Sequence, residues 1–125
     1  ADQTLSCGTG RFHKPANREE AVEQILTLSG RTHGLHSAAA LIVDGHVLAI
    51  IEDEARLTMR RLTRTDVDAY VTAAGAAATA SVGGYQIEGL GIHLFESIVG
   101  DHTTILGLPM LPLLRELRRL DLVGR

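Results

Sequence analysis

Tryptophan is absent, and aromatic residues make up only 3% of the 125 residues. A core must therefore be built from Leu, Ile, Val and Ala. Cysteine is nearly absent too. One residue, Cys7, excludes an internal disulfide and suits a reducing compartment. No Lys/Arg-rich block has aromatics interleaved with it, so a nucleic-acid interface has no support. No stretch reads as a signal peptide, and no apolar run is long enough for a membrane span. A cytoplasmic location is expected. The chain is 45% hydrophobic and 22% charged, with a net charge of −3. That balance can bury a core and is unlike that of a disordered tail. The length suits one domain, residues 1–125.

The first fifteen residues, ADQTLSCGTGRFHKP, carry the most chemistry for their length. A strand-like run ending at Ser6 leads into a loop bearing Gly8 and Gly10. Such a loop would bring Asp2 and Lys14 toward one another. A carboxylate can orient water or a metal ion, and a lysine can neutralise phosphoryl charge. A solvated hairpin is the plainer reading of the same residues. The chain begins within this strand and not with Met. Either a tag or propeptide has been removed, or this is the C-terminal piece of something longer.

Asn17 with Glu20 three residues later reads as a capping-box-like start. Ala21, Ile25 and Leu28 recur at helical spacing, and Gly30 follows as a C′ residue. The pattern predicts a helix from about Arg18 to Leu28. Thr32 to Val43 reads as a strand, Asp44-Gly45 as a hairpin turn, and His46 to Arg60 as the return strand. Thr65-Asp66 would cap a second helix running to Ala74, with Val67 and Val71 inward and Gly75 as its stop. Ala76 to Ser81 could be helix or loop. Val82 to Gly91 is a glycine-rich connection, and Ile92 to Val99 reads as a strand. His102 to Leu106 suits a helical turn. A last helix from Pro109 to about Leu122 would bury Leu113, Leu114, Leu117 and Leu120 as a core stripe, with Arg115, Arg118 and Arg119 toward the negative end of its dipole.

These landmarks, in this order, resemble the Maf family of nucleoside triphosphate pyrophosphatases, also called septum-formation-inhibitor proteins. The matching pieces are ADQT at the start, HKP at 13–15, LSGRTH at 28–33, Leu57-Thr58-Met59-Arg60, Tyr85-Gln86-Ile87-Glu88-Gly89 and Gly107-Leu108-Pro109. They span the chain from end to end. The resemblance implies an α/β fold with a central mixed sheet and flanking helices, similar to the inosine triphosphate pyrophosphatase-like group. It also implies a strand, a Ser/Arg phosphate loop and a helix ahead of Ala1, making this chain roughly the C-terminal two-thirds of such a protein.

By the same resemblance, Asp2 is the catalytic acidic residue, a proton acceptor or metal-site carboxylate. Lys14 is the lysine of the family's Gly-Lys-Pro, with His13 here in place of Gly. Gln3 and Glu88 are the specificity positions. Pyrimidine-type members resemble Asp-Thr and Gln-Gly where this chain has Asp2-Gln3 and Glu88-Gly89, a combination similar to the 7-methyl-GTP pyrophosphatase branch. Ser81 stands where the family pattern often has Lys. Chemistry supports Glu88: a carboxylate accepts from the N1–H and 2-amino edge of guanine. It also suits a cationic N7-methylated purine.

The implied reaction is hydrolysis of a nucleoside triphosphate to monophosphate and pyrophosphate. A divalent metal, Mg²⁺ or Mn²⁺, and a homo-oligomer are expected with it. Asp2 is the one metal ligand the sequence suggests. A nucleotide-binding or regulatory fragment without turnover is the alternative, and an inert structural fragment a third. Other residues have plainer readings. The glycines at 83, 84, 89 and 91 serve either positive φ angles or a close approach to ligand. His33 and His36, three apart on a strand, face opposite ways and form no metal pair. Cys7 has no base beside it and reads as no nucleophile.

Overall fold

The structure, a computed structural model, describes residues 2–8 and 10–121 and, of Asp2 and Arg11, the main chain. It begins with a hairpin. Strand β1 (Asp2–Cys7) turns at Gly8 (φ +60) into the short β2 (Gly10–Phe12). Helix α1 (Arg18–Leu28) follows, then β3 (Thr32–Val43) and β4 (His46–Met59). Helices α2 (Arg64–Ala74) and α3 (Ala77–Ala80) come next. Two 3₁₀ turns, Val82–Gly84 and Leu90–Leu94, lead into β5 (Phe95–Val99), α4 (His102–Ile105) and α5 (Met110–Arg119).

The strands form one sheet in the order β2-β1-β3-β4-β5. The α/β class holds. The sheet, expected to be mixed, is antiparallel at every pairing among the described strands. For β1–β2 and β3–β4 the reason is local: tight turns join them, and such a turn can only reverse a chain. In the longer hairpin Asp44 (φ +50) and Gly45 (φ +77) both take positive φ. That is the type I′ geometry whose twist suits paired strands.

The pleat separates the core from water. Leu5, Leu35, Ala55 and Leu57 are buried on one face. Thr4, Ser6, Glu52 and Glu54, alternating with them, are exposed on the other. Ala21, Val22, Ile25 and Leu28 of α1 and Val67 and Val71 of α2 join that inner cluster. Full burial of one such side chain contributes about 1.5–3 kcal/mol, so this layer carries much of the stability.

Helix α1 begins and ends where its pattern predicts. The Asn17 carboxamide oxygen accepts from Glu20 N–H at 2.9 Å, but the Glu20 carboxylate reaches one residue further back, to Ala16 N–H at 2.6 Å. Helix α2 starts earlier than its pattern suggests. Thr63, not Thr65, is its cap, and Thr63 and Asp66 satisfy each other's backbone N–H groups. The ambiguous 76–81 segment contains α3. The strand expected from Ile92 begins only at Phe95, because Leu90–Leu94 winds as a 3₁₀ turn. The last helix ends by Arg119, and its leucines are no core stripe. No residue of α5 is buried, and Leu111 is 60% exposed. Its periodicity sets out an apolar face, but periodicity does not supply a layer to cover it. Arg119 pairs with Glu116 at 2.7 Å, so at least one late arginine is held by a neighbour.

Candidate functional site

The Gly8 turn sets β2 beside β1 with Leu5 opposite Phe12 and Cys7 opposite Gly10. The chain leaving β2 therefore carries His13 and Lys14 back along β1. A cleft of about 580 Å³ opens there, lined by Gln3, Thr4, Phe12, His13 and Lys14 on one side and by Ser81, Val82, Leu106 and Gly107 on the other. A smaller recess of about 60 Å³ shares Gln3, Ser81, Val82 and Leu106, and adds Tyr85, Gln86, Ile87 and Glu88. Thus Lys14, the one lysine in the chain, lies in the larger space. Glu88 lies in the smaller, and Gln3 borders both. The structure brings together three of the four residues singled out by sequence. The fourth, Asp2, has its side chain outside the described residues; its main chain pairs with Ala38 on β3.

Gln3 is also a tether. Its Nε2 donates to Ile105 O at 2.7 Å and to Thr104 O at 3.3 Å. Both amide hydrogens are thereby directed at carbonyls of α4, and its remaining polar group is the acceptor Oε1. Thr104 is the centre of this contact. It is fully buried, its carbonyl also accepts from Ser37 Oγ at 2.7 Å, and its Oγ1 donates to Asp53 Oδ2 at 2.7 Å. Asp101 caps α4 through Thr103 Oγ1 and N–H, both at 2.8 Å. Those two bonds, the side-chain one foremost, hold its carboxyl below the usual range. Sequence reasoning missed Ser37, Asp53 and Thr104. Nothing in their spacing marks them, since they come from β3, β4 and α4 and meet only on folding. Gly107, used as a landmark alone, lines the larger cleft with Leu106.

The glycine-rich connection serves packing as well as turning. Gly83 has φ +84, and a Cβ there would come within 2.7 Å of Leu5 Cδ1. Its N–H donates to Gln24 Oε1 at 3.0 Å, and Gly84 O accepts from Tyr70 Oη at 3.1 Å. Burial pushes the Tyr70 phenol up to about 12, so it stays a neutral donor. Cys7 is buried, with Sγ at 3.6 Å from Thr32 O, and is no exposed nucleophile.

The two histidines part company as their spacing requires. His36 is partly exposed, 3.9 Å from Glu52. His33 is 1% exposed, with Nε2 2.6 Å from Tyr85 Oη. Burial lowers its pKa from 6.5 to about 4. The folded value lies below the unfolded one, so as pH falls the unfolded chain takes up the proton first. Stability should then decline between about 6.5 and 4 and level off below. From this group alone, unfolding free energy should be about 2 kcal/mol lower at pH 5 than at pH 7.5. Urea titrations at the two pH values measure it. A His33→Phe variant with the same pH dependence would assign the loss elsewhere.

Among the described residues no three His, Cys, Asp or Glu side chains gather as a metal cage.

Comparison with known proteins gives this geometry a context. The family model described as Maf-like protein matches residues 1–120. A nucleoside triphosphate pyrophosphatase of Rhodopseudomonas palustris strain BisB18 is 56% identical over 124 residues, 99% of this chain and 61% of the relative. One of the same name from Nitrobacter winogradskyi is 54% identical over 118 residues, 94% of this chain and 58% of the relative. A 7-methyl-GTP pyrophosphatase of Mesorhizobium japonicum is 55% identical over 122 residues, 98% of this chain and 61% of the relative. The chain thus spans about three-fifths of the length of the curated relatives it matches. With the family model matching residues 1–120, the chain belongs to the Maf family.

Proposed function

We propose that the complete protein is a nucleoside triphosphate pyrophosphatase, and that 7-methyl-GTP is its preferred substrate. The observation that carries this reading is the paired cleft. Lys14 and His13 border a space large enough for phosphates, Glu88 borders the adjoining recess, and Gln3 lies between. A nucleotide is polyanionic at one end and offers donor groups at the other, so the two ends meet opposite demands. The names of the relatives support the same chemistry.

One water is consumed at the bond between the α- and β-phosphates, and the products are a monophosphate and pyrophosphate. Asp2 acts as the base that takes the water's proton. Lys14 offsets phosphate charge. Gln3, tethered through Nε2 to α4, lines the wall between the two spaces and offers Oε1 as an acceptor. Glu88 accepts from the guanine edge. A bound divalent ion, Mg²⁺ or Mn²⁺, would neutralise triphosphate charge as the bond breaks, with Asp2 as its protein ligand.

The base preference is directly testable. A carboxylate facing a guanine edge accepts two hydrogen bonds. Facing uracil or thymine it meets repelling carbonyl oxygens and one N3–H. A charge-assisted hydrogen bond is worth about 1.5–3 kcal/mol, so one lost contact means roughly 10- to 100-fold in specificity. The complete protein should therefore favour 7-methyl-GTP over UTP and dTTP in kcat/KM. Glu88→Gln should erode that preference more than Gln3→Thr, and the double change should erode it most. A wild type that favours UTP or dTTP would remove Glu88 from the base edge.

No helix among the described residues is long and apolar enough to cross a membrane, and a cytoplasmic location is part of the proposal. So is a homo-oligomer. Its support is the far end of the β3–β4 hairpin, where Ile42, Val47 and Ile50 are 59%, 58% and 69% exposed. Sedimentation of the complete protein as a single copy would refute it.

A further inference from the structure

Glu88 sits in a tight turn, Gln86 to Gly89, closed by Gly89 N–H donating to Gln86 O at 3.2 Å. A carboxylate on an exposed turn discriminates between bases only if the turn is held still. From the two flanks of this turn, we infer that Tyr85 and Gly91 are positioning residues for base selection. They fix the Glu88 turn from its two flanks. The inference rests on the role proposed above for Glu88.

Tyr85 holds the leading side. It is 4% exposed. Its ring packs edge-on against Phe95, centroids 4.8 Å apart, and its hydroxyl meets the buried His33 at 2.6 Å. His33 Nδ1 has no partner of its own, so the Tyr85 contact is the imidazole's one polar anchor among the described residues. Strand β3 and strand β5 thereby grip the residue three positions before Glu88. The neighbouring Gln86 is tied by Nε2 to Ser81 Oγ at 3.3 Å.

Gly91 holds the trailing side by lacking a side chain. A Cβ there would meet Gln86 O, and would lie 2.8 Å from Gln86 C and 2.9 Å from Gln86 N. These are backbone atoms of the turn's own first residue, and they cannot rotate away. Gly91 does not have positive φ, so alanine is acceptable to its backbone. The one consequence of adding a methyl group is displacement of the turn. Gly89, by contrast, would place a Cβ no closer than 3.9 Å from Gln86 O, an ordinary contact.

The test compares Gly91→Ala, Tyr85→Phe and Val67→Ala in the complete protein. Val67 is buried in α2 and lines neither cleft, so its truncation lowers stability alone. For each variant, kcat and KM are measured with 7-methyl-GTP and with UTP, and the unfolding midpoint in urea is recorded. Gly91→Ala is expected to cut the 7-methyl-GTP preference about 10-fold, through KM, because a misplacement of about 1 Å can cost up to 10²-fold. Tyr85→Phe, which keeps the ring and removes the hydroxyl, should shift the preference in the same direction by less. Val67→Ala should leave the ratio unchanged despite its lower midpoint. The inference is overturned if Gly91→Ala and Tyr85→Phe weaken both nucleotides equally, or neither, while Glu88→Gln still alters the ratio. If Gly91→Ala fails to fold, Tyr85→Phe decides alone. If Glu88→Gln itself leaves the ratio unchanged, the base reading fails and takes this inference with it.

Discussion

Asp2→Asn in the complete protein should cut turnover by about 10² to 10⁴ and leave nucleotide binding nearly intact. The substitution preserves size and removes proton acceptance at neutral pH. Asp2 opens a strand whose main chain is fixed by a ladder to β3 running from Asp2 opposite Ala38 to Ser6 opposite Gly34. The next residue, Gln3, is anchored to α4 and borders the cleft. The asparagine variant should therefore change chemistry more than architecture. Calorimetry reads the affinity and a turnover assay reads kcat. A variant with near-wild-type turnover removes Asp2 from the mechanism.

The second large effect is on stability. Leu57 is fully buried near the C-terminal end of β4, opposite His33 on one side and Ile98 on the other. Leu57→Ala should cost about 2–5 kcal/mol, a large share of the roughly 5–15 kcal/mol that holds a domain together. Ile50→Ala lies on the same strand at 69% exposure and should move stability by no more than about 0.5 kcal/mol. Urea midpoints of the two variants make the comparison. Equal costs would mean that the Leu57 face is not the core, or that the Ile50 face is covered in the complete protein.

The parts of this fold that the sequence made legible are those set by neighbours along the chain. Arg18 to Leu28 is bounded by a side-chain cap and a glycine with φ +68, both local devices. Asp44-Gly45 sets the pairing of β3 with β4 next to the turn, up to the irregularity between Leu41 and Ile42. What the sequence hid depends on distant partners. The leucines of α5 have helical spacing, but no element covers them fully. Leu90–Leu94 resembles the start of β5 in composition, yet Gly91 packs against Gln86 and the segment winds instead. The start of α2 reads as Thr65-Asp66, but Thr63 and Asp66 are the pair that closes the capping box, through hydrogen bonds made only in the folded backbone.

The site divides in the same way. Gln3, Lys14 and Glu88 could be named from short motifs, and the fold gathers them around adjoining clefts. The Thr104 network could not be, since Gln3, Ser37, Asp53 and Thr104 come from four elements. Nor could the flanking support of the Glu88 turn, because Gly91 acts through an absent side chain. A glycine in the sequence does not say whether it serves φ freedom or close approach, and here geometry assigns Gly83 to both and Gly91 to the second.

The most direct measurement is the product pattern and kcat/KM of the complete protein with 7-methyl-GTP, GTP, UTP and dTTP. The account predicts that one 7-methyl-GTP yields one 7-methyl-GMP and one pyrophosphate, with kcat/KM roughly 10- to 100-fold above that for UTP. Release of orthophosphate with a diphosphate, or nucleotide binding without turnover, would contradict it.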